Sequence, residues 1–269
     1  RFAARFAGLG FRVHPDTLAL MTGMTASGEL AHLAPERVWA EIAGAMGEPT
    51  PSAFVNVLRE CGALAALLPE VDALFGIPQP ARYHPEIDTG RHVLLTLDEA
   101  ARRERGARVV YALLLHDLGK ALTPRDEWPS HVRHEQRGVP LVRDICDRLR
   151  APTAWRELAL RVTALHLRCH RSLEMKPASI LKLLEEGDFL RRPDELKPFL
   201  HACEADYRGR AGRQDRPYPQ AQRLQAALEA ALAVRARDLD TEGLDGPAIG
   251  ARLRSARIDA IAGTAGPAG

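Results

Sequence analysis

Residues 111–124 read YALLLHDLGKALTP, an apolar run that ends in His116 and Asp117 and is followed at once by Gly119 and Lys120. With "ARVVYALLLHD" from Ala107, the run has the length and three-to-four-residue repeat of a helix buried on most of its faces. Such a helix gains nothing from a charged pair at its end unless something binds there. Adjacent helical residues point about 100° apart, but at a helix end both side chains still reach one point. The pair therefore reads as a ligand-holding helix terminus.

The rest of the chain supports a helical reading. Apolar residues recur at helical spacing almost throughout, and no convincing alternating strand appears, so the expected class is all-α. Pro35, Pro152 and Pro247 suit helix starts. "PSAFVNVLRECGALAALLPEV" reads as a helix that breaks near Gly62 and stops at Pro69. "FGIPQPARYHP" holds Pro78, Pro80 and Pro85, which disfavours helix and marks a boundary. Residues 123–138 read as a loop carrying His131 and His134, with a helix from Val139. The segment from Pro193 reads as a helix interrupted near Pro198, and "GTAGPAG" as a frayed end.

Composition excludes several classes. At 269 residues with 46% hydrophobic content the chain can bury a sizeable core. No apolar run approaches the roughly 20 residues of a membrane span and no signal-peptide pattern is present, so the expectation is a cytoplasmic protein without membrane contact. Cys61, Cys146, Cys169 and Cys203 form no CxxC pair and read as buried reduced thiols. The net charge is +2 although 33 of the 37 basic residues are Arg; composition alone does not establish nucleic-acid binding. The first residues, RFAARFAGLG, lie already inside an amphipathic pattern, as in a piece of a longer protein.

Seven of the ten histidines fall between residues 84 and 170. His92 sits early in one helix, His116–Asp117 at the end of the next, and His166 deep in a later one. Asp206, in "EADYRGR", offers a second carboxylate. Imidazoles with one or two carboxylates form a mixed nitrogen and oxygen set that suits Mn, Fe, Co, Ni or Zn over Mg or Ca. Lys120 stands where it would offset phosphate charge.

"RHVLLTL…LLLHDLGK…H…D" resembles the HD-domain phosphohydrolase pattern of a His, a His-Asp pair and a distal Asp. "HPEIDTGRHVLLTL", "LLLHDLGKALTPRDEWPSH", "ALHLRCH" and "EADYRGR" together resemble bacterial multifunctional CCA-adding tRNA nucleotidyltransferases. The flanks "RFAARFAGLGFRVHPDTLALM", "GELAHLAPERVWAEI" and "LRECGALAALLPEVDALFGIP" resemble that family's neck and body, and "GLDGPAIGARLRSARIDAI" its carboxy-terminal end. The resemblance implies a helical neck and body over 1–78, an HD phosphohydrolase domain over 79–205 and a helical tail over 206–269. It implies metal or catalytic positions at His92, His116, Asp117, His166 and Asp206. Extra ligands for a second metal would come from the loop of His131 and His134. Lys120 would act in catalysis beside them. The implied cofactor is a divalent transition metal (Ni, Mn or Co). The implied substrates are 2′,3′-cyclic and 2′-phosphorylated nucleotides, and the implied partner is the 3′ end of tRNA.

The family's nucleotidyltransferase head, with its Gly-Gly phosphate loop, paired carboxylates and Mg, has no counterpart in these residues. "RF" at the start resembles the end of the head's nucleotide-contacting segment, which makes Arg1 a nucleotide contact. The chain alone is therefore not expected to add CTP or ATP to tRNA. A second reading makes it a tRNA-gripping body, with Arg1, Arg5, Arg37, Arg208, Arg210 and Arg213 on phosphates.

Overall fold

The computed structural model describes residues 1–264 and is helical from end to end, as the periodicity requires. The first helices are α1 (Phe2–Phe6), α2 (Pro15–Ala26), α3 (Pro35–Met46), α4 (Pro51–Glu60), α5 (Ala63–Leu67) and α6 (Pro69–Asp72). Proline opens four of these six, where the missing N–H has no intrahelical role. Pro69 thus starts a helix as well as ending one. After a non-helical stretch come α7 (Thr89–Arg102), α8 (Ala107–Leu115), α9 (His134–Arg148) and α10 (Thr153–His170). They are followed by α11 (Pro177–Glu186), α12 (Leu196–Arg208), α13 (Pro219–Ala233) and α14 (Gly246–Gly263). An isolated antiparallel bridge between Pro78 and Asp88 is the β-type pairing recorded among the described residues. The frayed end expected beyond Gly263 falls mostly on residues 265–269, which lie outside the described residues.

The chain forms two compact units. One comprises Arg1–His166 with His201–Arg216; the other comprises Leu167–Leu200 and the chain from Pro217 on. In the first unit α8 is the central rod: Val109 through Leu115 are all buried, which is why its sequence is apolar on every face. It packs on α3 and α7, and α4 packs on α7. Trp39, Tyr111 and Trp155 meet edge to face with centroids 5.0–5.8 Å apart, locking α3, α8 and α10 together. In the second unit α11, α13 and α14 pack on one another around Ile180, Leu184, Leu224, Leu228 and Ile261.

Two elements differ from the sequence reading. α9 begins at His134, five residues before Val139, and runs through Gly138 and Pro140. Pro198 falls in the first turn of α12, where its missing donor is harmless, so it does not interrupt that helix. All four cysteines are buried, and no helix among the described residues is long and apolar enough to cross a membrane.

Candidate metal centre

α8 ends at Leu115, and His116 and Asp117 occupy the turn between it and a tight 3-10 segment, Leu118–Leu122. Gly119 in that segment lies against the start of α9: a Cβ there would fall 1.8 Å from the His134 carbonyl oxygen. No other residue permits this approach, and the approach delivers His134 to Asp117. α7 brings His92, α10 brings His166 and α12 brings Asp206 to the same place.

The polar atoms converge. His92 Nε2 lies 3.0 Å from Asp206 Oδ1 and 3.9 Å from Asp117 Oδ2. His116 Nε2 is 3.2 Å from Asp117 Oδ2 and 3.8 Å from Asp206 Oδ1. On the other carboxylate oxygen, Asp117 Oδ1 is 3.2 Å from His134 Nε2 and 3.7 Å from His166 Nε2. All six residues are buried, His134 being the most exposed at 5%.

The backbone sets the orientation of three rings. His116 Nδ1 donates to the Leu113 carbonyl at 2.7 Å, His166 Nδ1 to the Val162 carbonyl at 3.0 Å, and His134 Nδ1 to the His131 carbonyl at 3.0 Å. A carbonyl only accepts, so each Nδ1 carries a proton, and in its neutral form each ring turns its Nε2 lone pair inward. His116 Nε2, His134 Nε2 and Asp117 Oδ1 are fully buried without a hydrogen-bond partner among the described residues. Leaving such atoms unpaired costs on the order of 1–3 kcal/mol each, and a shared cation removes that cost. The donor set of neutral imidazoles and carboxylates therefore fits a divalent transition metal. Three groups of side chains lie close enough to hold an ion, His92–His116–Asp117, Asp117–His134–His166 and His84–Glu86–His92, with Asp117 common to the first two.

Electrostatics agree. Burial would raise the Asp117 carboxyl, but His116 and Lys120 outweigh it and hold Asp117 well below the usual carboxylate range. Burial and the neighbouring His116 charge push His166 well below the ordinary imidazole value. His116 moves the other way: burial lowers it, but the Asp117 charge gives a net rise.

Other candidates fall elsewhere. Lys120 is buried, with its ammonium 2.6 Å from Asp117 Oδ2 and in contact with Gln79 Oε1, so its charge is directed at the aspartate. His131, expected in a loop as a ligand of a second metal, is 2% exposed and uses both ring nitrogens, one with Thr123 Oγ1 at 2.5 Å and one with the Pro78 carbonyl at 2.7 Å. Arg1 stands apart from the cluster, 3.9 Å from Glu48, which Arg5 grips with both nitrogens. Sequence reasoning passed over Gln79 and Glu86 and read His84 as structural. The proline-rich stretch read as a boundary supplies all three, and Glu86 Oε1 lies 2.9 Å from His92 Nδ1 and 3.1 Å from His84 Nδ1. "HPE", immediately before the helix of His92, was the available signal.

A helical bundle that gathers a His, a His-Asp pair and a distal Asp defines an HD-domain protein, and residues 89–206 match the HD domain family model. Residues 10–75 match the model described as the probable RNA and SrmB-binding site of polymerase A. Over 261 residues the chain is 56% identical to the multifunctional CCA protein of Thioalkalivibrio sulfidiphilus. Over 262 residues it is 55% identical to that of Alkalilimnicola ehrlichii and 53% to that of Methylococcus capsulatus. Each alignment covers 97% of this chain, which is thus similar to multifunctional CCA proteins over nearly all of its residues. The chain spans 62–64% of the length of these relatives.

Proposed function

We propose that the HD domain is a metal-dependent phosphohydrolase acting on 2′,3′-cyclic phosphates and 2′-phosphomonoesters at RNA ends. The observation that carries this reading is the set of imidazole Nε2 atoms turned onto Asp117 with no hydrogen-bond partner for two of them. His92, His116, Asp117 and Asp206 would hold a Ni, Mn or Co ion, and His134 and His166 would add the face of Asp117 Oδ1. Such an ion, when bound, lowers the pKa of water and polarises a phosphoryl oxygen. Lys120 keeps Asp117 ionised and in place. His166 is held neutral, which fits a ligand better than a proton donor to the leaving oxygen.

Within a whole CCA-adding enzyme we assign residues 1–78 to a neck and body that grips tRNA, 79–205 to the hydrolase and 206–269 to a tail. Nucleotide addition with Mg belongs to residues outside this chain, and Arg1 would be a contact to that nucleotide. The match of residues 10–75 to an RNA-binding model favours the gripping role. Steep salt dependence of tRNA binding tests it.

The test of the hydrolase is turnover of 2′,3′-cyclic AMP and a 2′-nucleotide by the purified chain after chelation and after adding back Ni, Mn, Co or Mg. Turnover restored by a transition metal is expected. A folded chain inert with every metal would overturn the reading.

A further inference from the structure

We propose that Arg210 is the residue that receives the substrate's phosphate at this centre; the proposal rests on the hydrolase reading above. Arg210 follows α12 directly, four residues after Asp206, and its place is fixed by Gly209. A Cβ at Gly209 would fall 2.7 Å from the Thr96 backbone on α7, one turn beyond His92. The chain therefore presses onto the helix of His92 just where Arg210 leaves it.

The Arg210 side chain is nine-tenths buried, yet it is poorly partnered. One terminal nitrogen lies 3.5 Å from Asp206 Oδ1, an oxygen already engaged by His92 Nε2 at 3.0 Å. Its Nε is buried with no hydrogen-bond partner among the described residues. Arginines with a structural task in this protein are better held: Arg5 and Arg148 each grip a carboxylate with two nitrogens at 2.7–2.9 Å, and Arg105, whose Nε is also buried and unpaired, donates to Glu204 at 2.7 Å. A guanidinium has five donors in a rigid fork suited to phosphate, and burying it with Nε unused is costly unless an anion arrives.

Charge points the same way. Around the centre, the carboxylates of Asp117, Asp206 and Glu86 face Lys120 and Arg210. With Glu135, 3.7 Å from His134 Nδ1, a divalent ion brings that set to neutrality, and Arg213 then carries it to a net positive charge. Its guanidinium and that of Arg210 lie 5.4 and 5.7 Å from the Tyr207 ring. Exposure rises outward from His92, whose side chain is 0% exposed, to Arg210 at 10% and His84 at 12%, as it does elsewhere around the centre to His134 at 6% and Lys120 at 8%. A phosphate monoester or cyclic diester entering from the Arg210 and His84 side meets Arg210 beside the metal ligands.

The experiment loads the chain with Co(II) and titrates inorganic phosphate, following the cobalt visible absorption, for wild type, Arg210→Ala and Arg210→Lys. Cobalt stoichiometry and thermal unfolding are measured in parallel. The expected result is unchanged cobalt content in both variants, with phosphate affinity falling about 10- to 100-fold in R210A and less in R210K. The KM for 2′,3′-cyclic AMP should rise along with it. Wild-type phosphate affinity in a cobalt-loaded R210A, or loss of cobalt from both variants, would overturn the assignment. A wild type that binds phosphate through Arg210 but hydrolyses no ester would instead sink the hydrolase reading and leave the anion site standing.

Discussion

His131 and His134 lie three residues apart, both buried, and they do opposite things. His131 is closed on itself: Thr123 and the Pro78 carbonyl take both its nitrogens, and it props the proline-rich stretch against the 3-10 turn. His134 is open: its own backbone neighbourhood takes Nδ1 and leaves Nε2 facing Asp117 without a hydrogen bond. Burial and residue type are the same, so neither distinguishes a strut from a ligand. What distinguishes them is the number of ring nitrogens the protein leaves unused, which is a property of the neighbours.

The largest effect should come from removing the atom on which the open side chains converge. Asp117→Asn should lower metal affinity more than about 100-fold, beyond the loss typical of residues that merely support a ligand. Equilibrium dialysis with Ni or Co reads it. Asp117→Ala is the poorer variant, because it strands buried Lys120 without its partner at a cost of about 3–5 kcal/mol and confounds folding with binding. Gly119→Ala should follow: its Cβ collides with the α9 backbone, so denaturant unfolding should show a loss of about 3 kcal/mol or more, and metal affinity should fall as His134 is pushed away.

The histidines themselves sharpen the contrast. His134→Ala should weaken metal binding at least about tenfold with little change in unfolding free energy. His131→Ala should do the reverse, destabilising by about 1–3 kcal/mol through the orphaned Thr123 and Pro78 groups. If both variants lose metal equally, the distinction drawn here fails.

The smallest effect is on pH. Burial pushes His84 down to about 3 despite the Glu86 carboxylate beside it, and His166 is also held well below its ordinary value. Both bind a proton more readily in the unfolded chain, so stability is present above about pH 6.5 and is lost as pH falls toward 3, by at most about 1.4 kcal/mol per pH unit for each group. His116, raised by Asp117, acts in a different window: the stability its proton contributes is complete below about pH 6.5 and is lost as pH rises above it. Replacing His84 by Gln should flatten the metal-free stability profile between pH 6.5 and 4, as measured by urea midpoints.

The helices were legible because their causes are local: apolar spacing, prolines in first turns, and acids at Asp88 and Asp245 that accept the Arg91 and Ala248 amides. The centre was legible as residue types on separate apolar helices. The parts that were not legible depend on tertiary approach. The start of α9 was hidden because the loop was carried through Gly138, whereas Gly138 is the small residue on which Gly119 packs, and the contact holds the helix in place. Glu86 and Gln79 were hidden inside a proline-rich stretch whose irregular backbone is anchored by Asp88 and by His131. Lys120 was read as facing a phosphate, and only the fold shows Asp117 and Gln79 within its reach.

The central claim is that the side chains around Asp117 hold a metal ion. The most direct test is elemental analysis of the chain after stripping, reloading with Ni or Co and exhaustive dialysis, for wild type and Asp117→Asn side by side. The account predicts stoichiometric metal in the wild type and none above background in the variant, with both folded. A folded wild type that retains no metal, or a variant that retains as much, would contradict it.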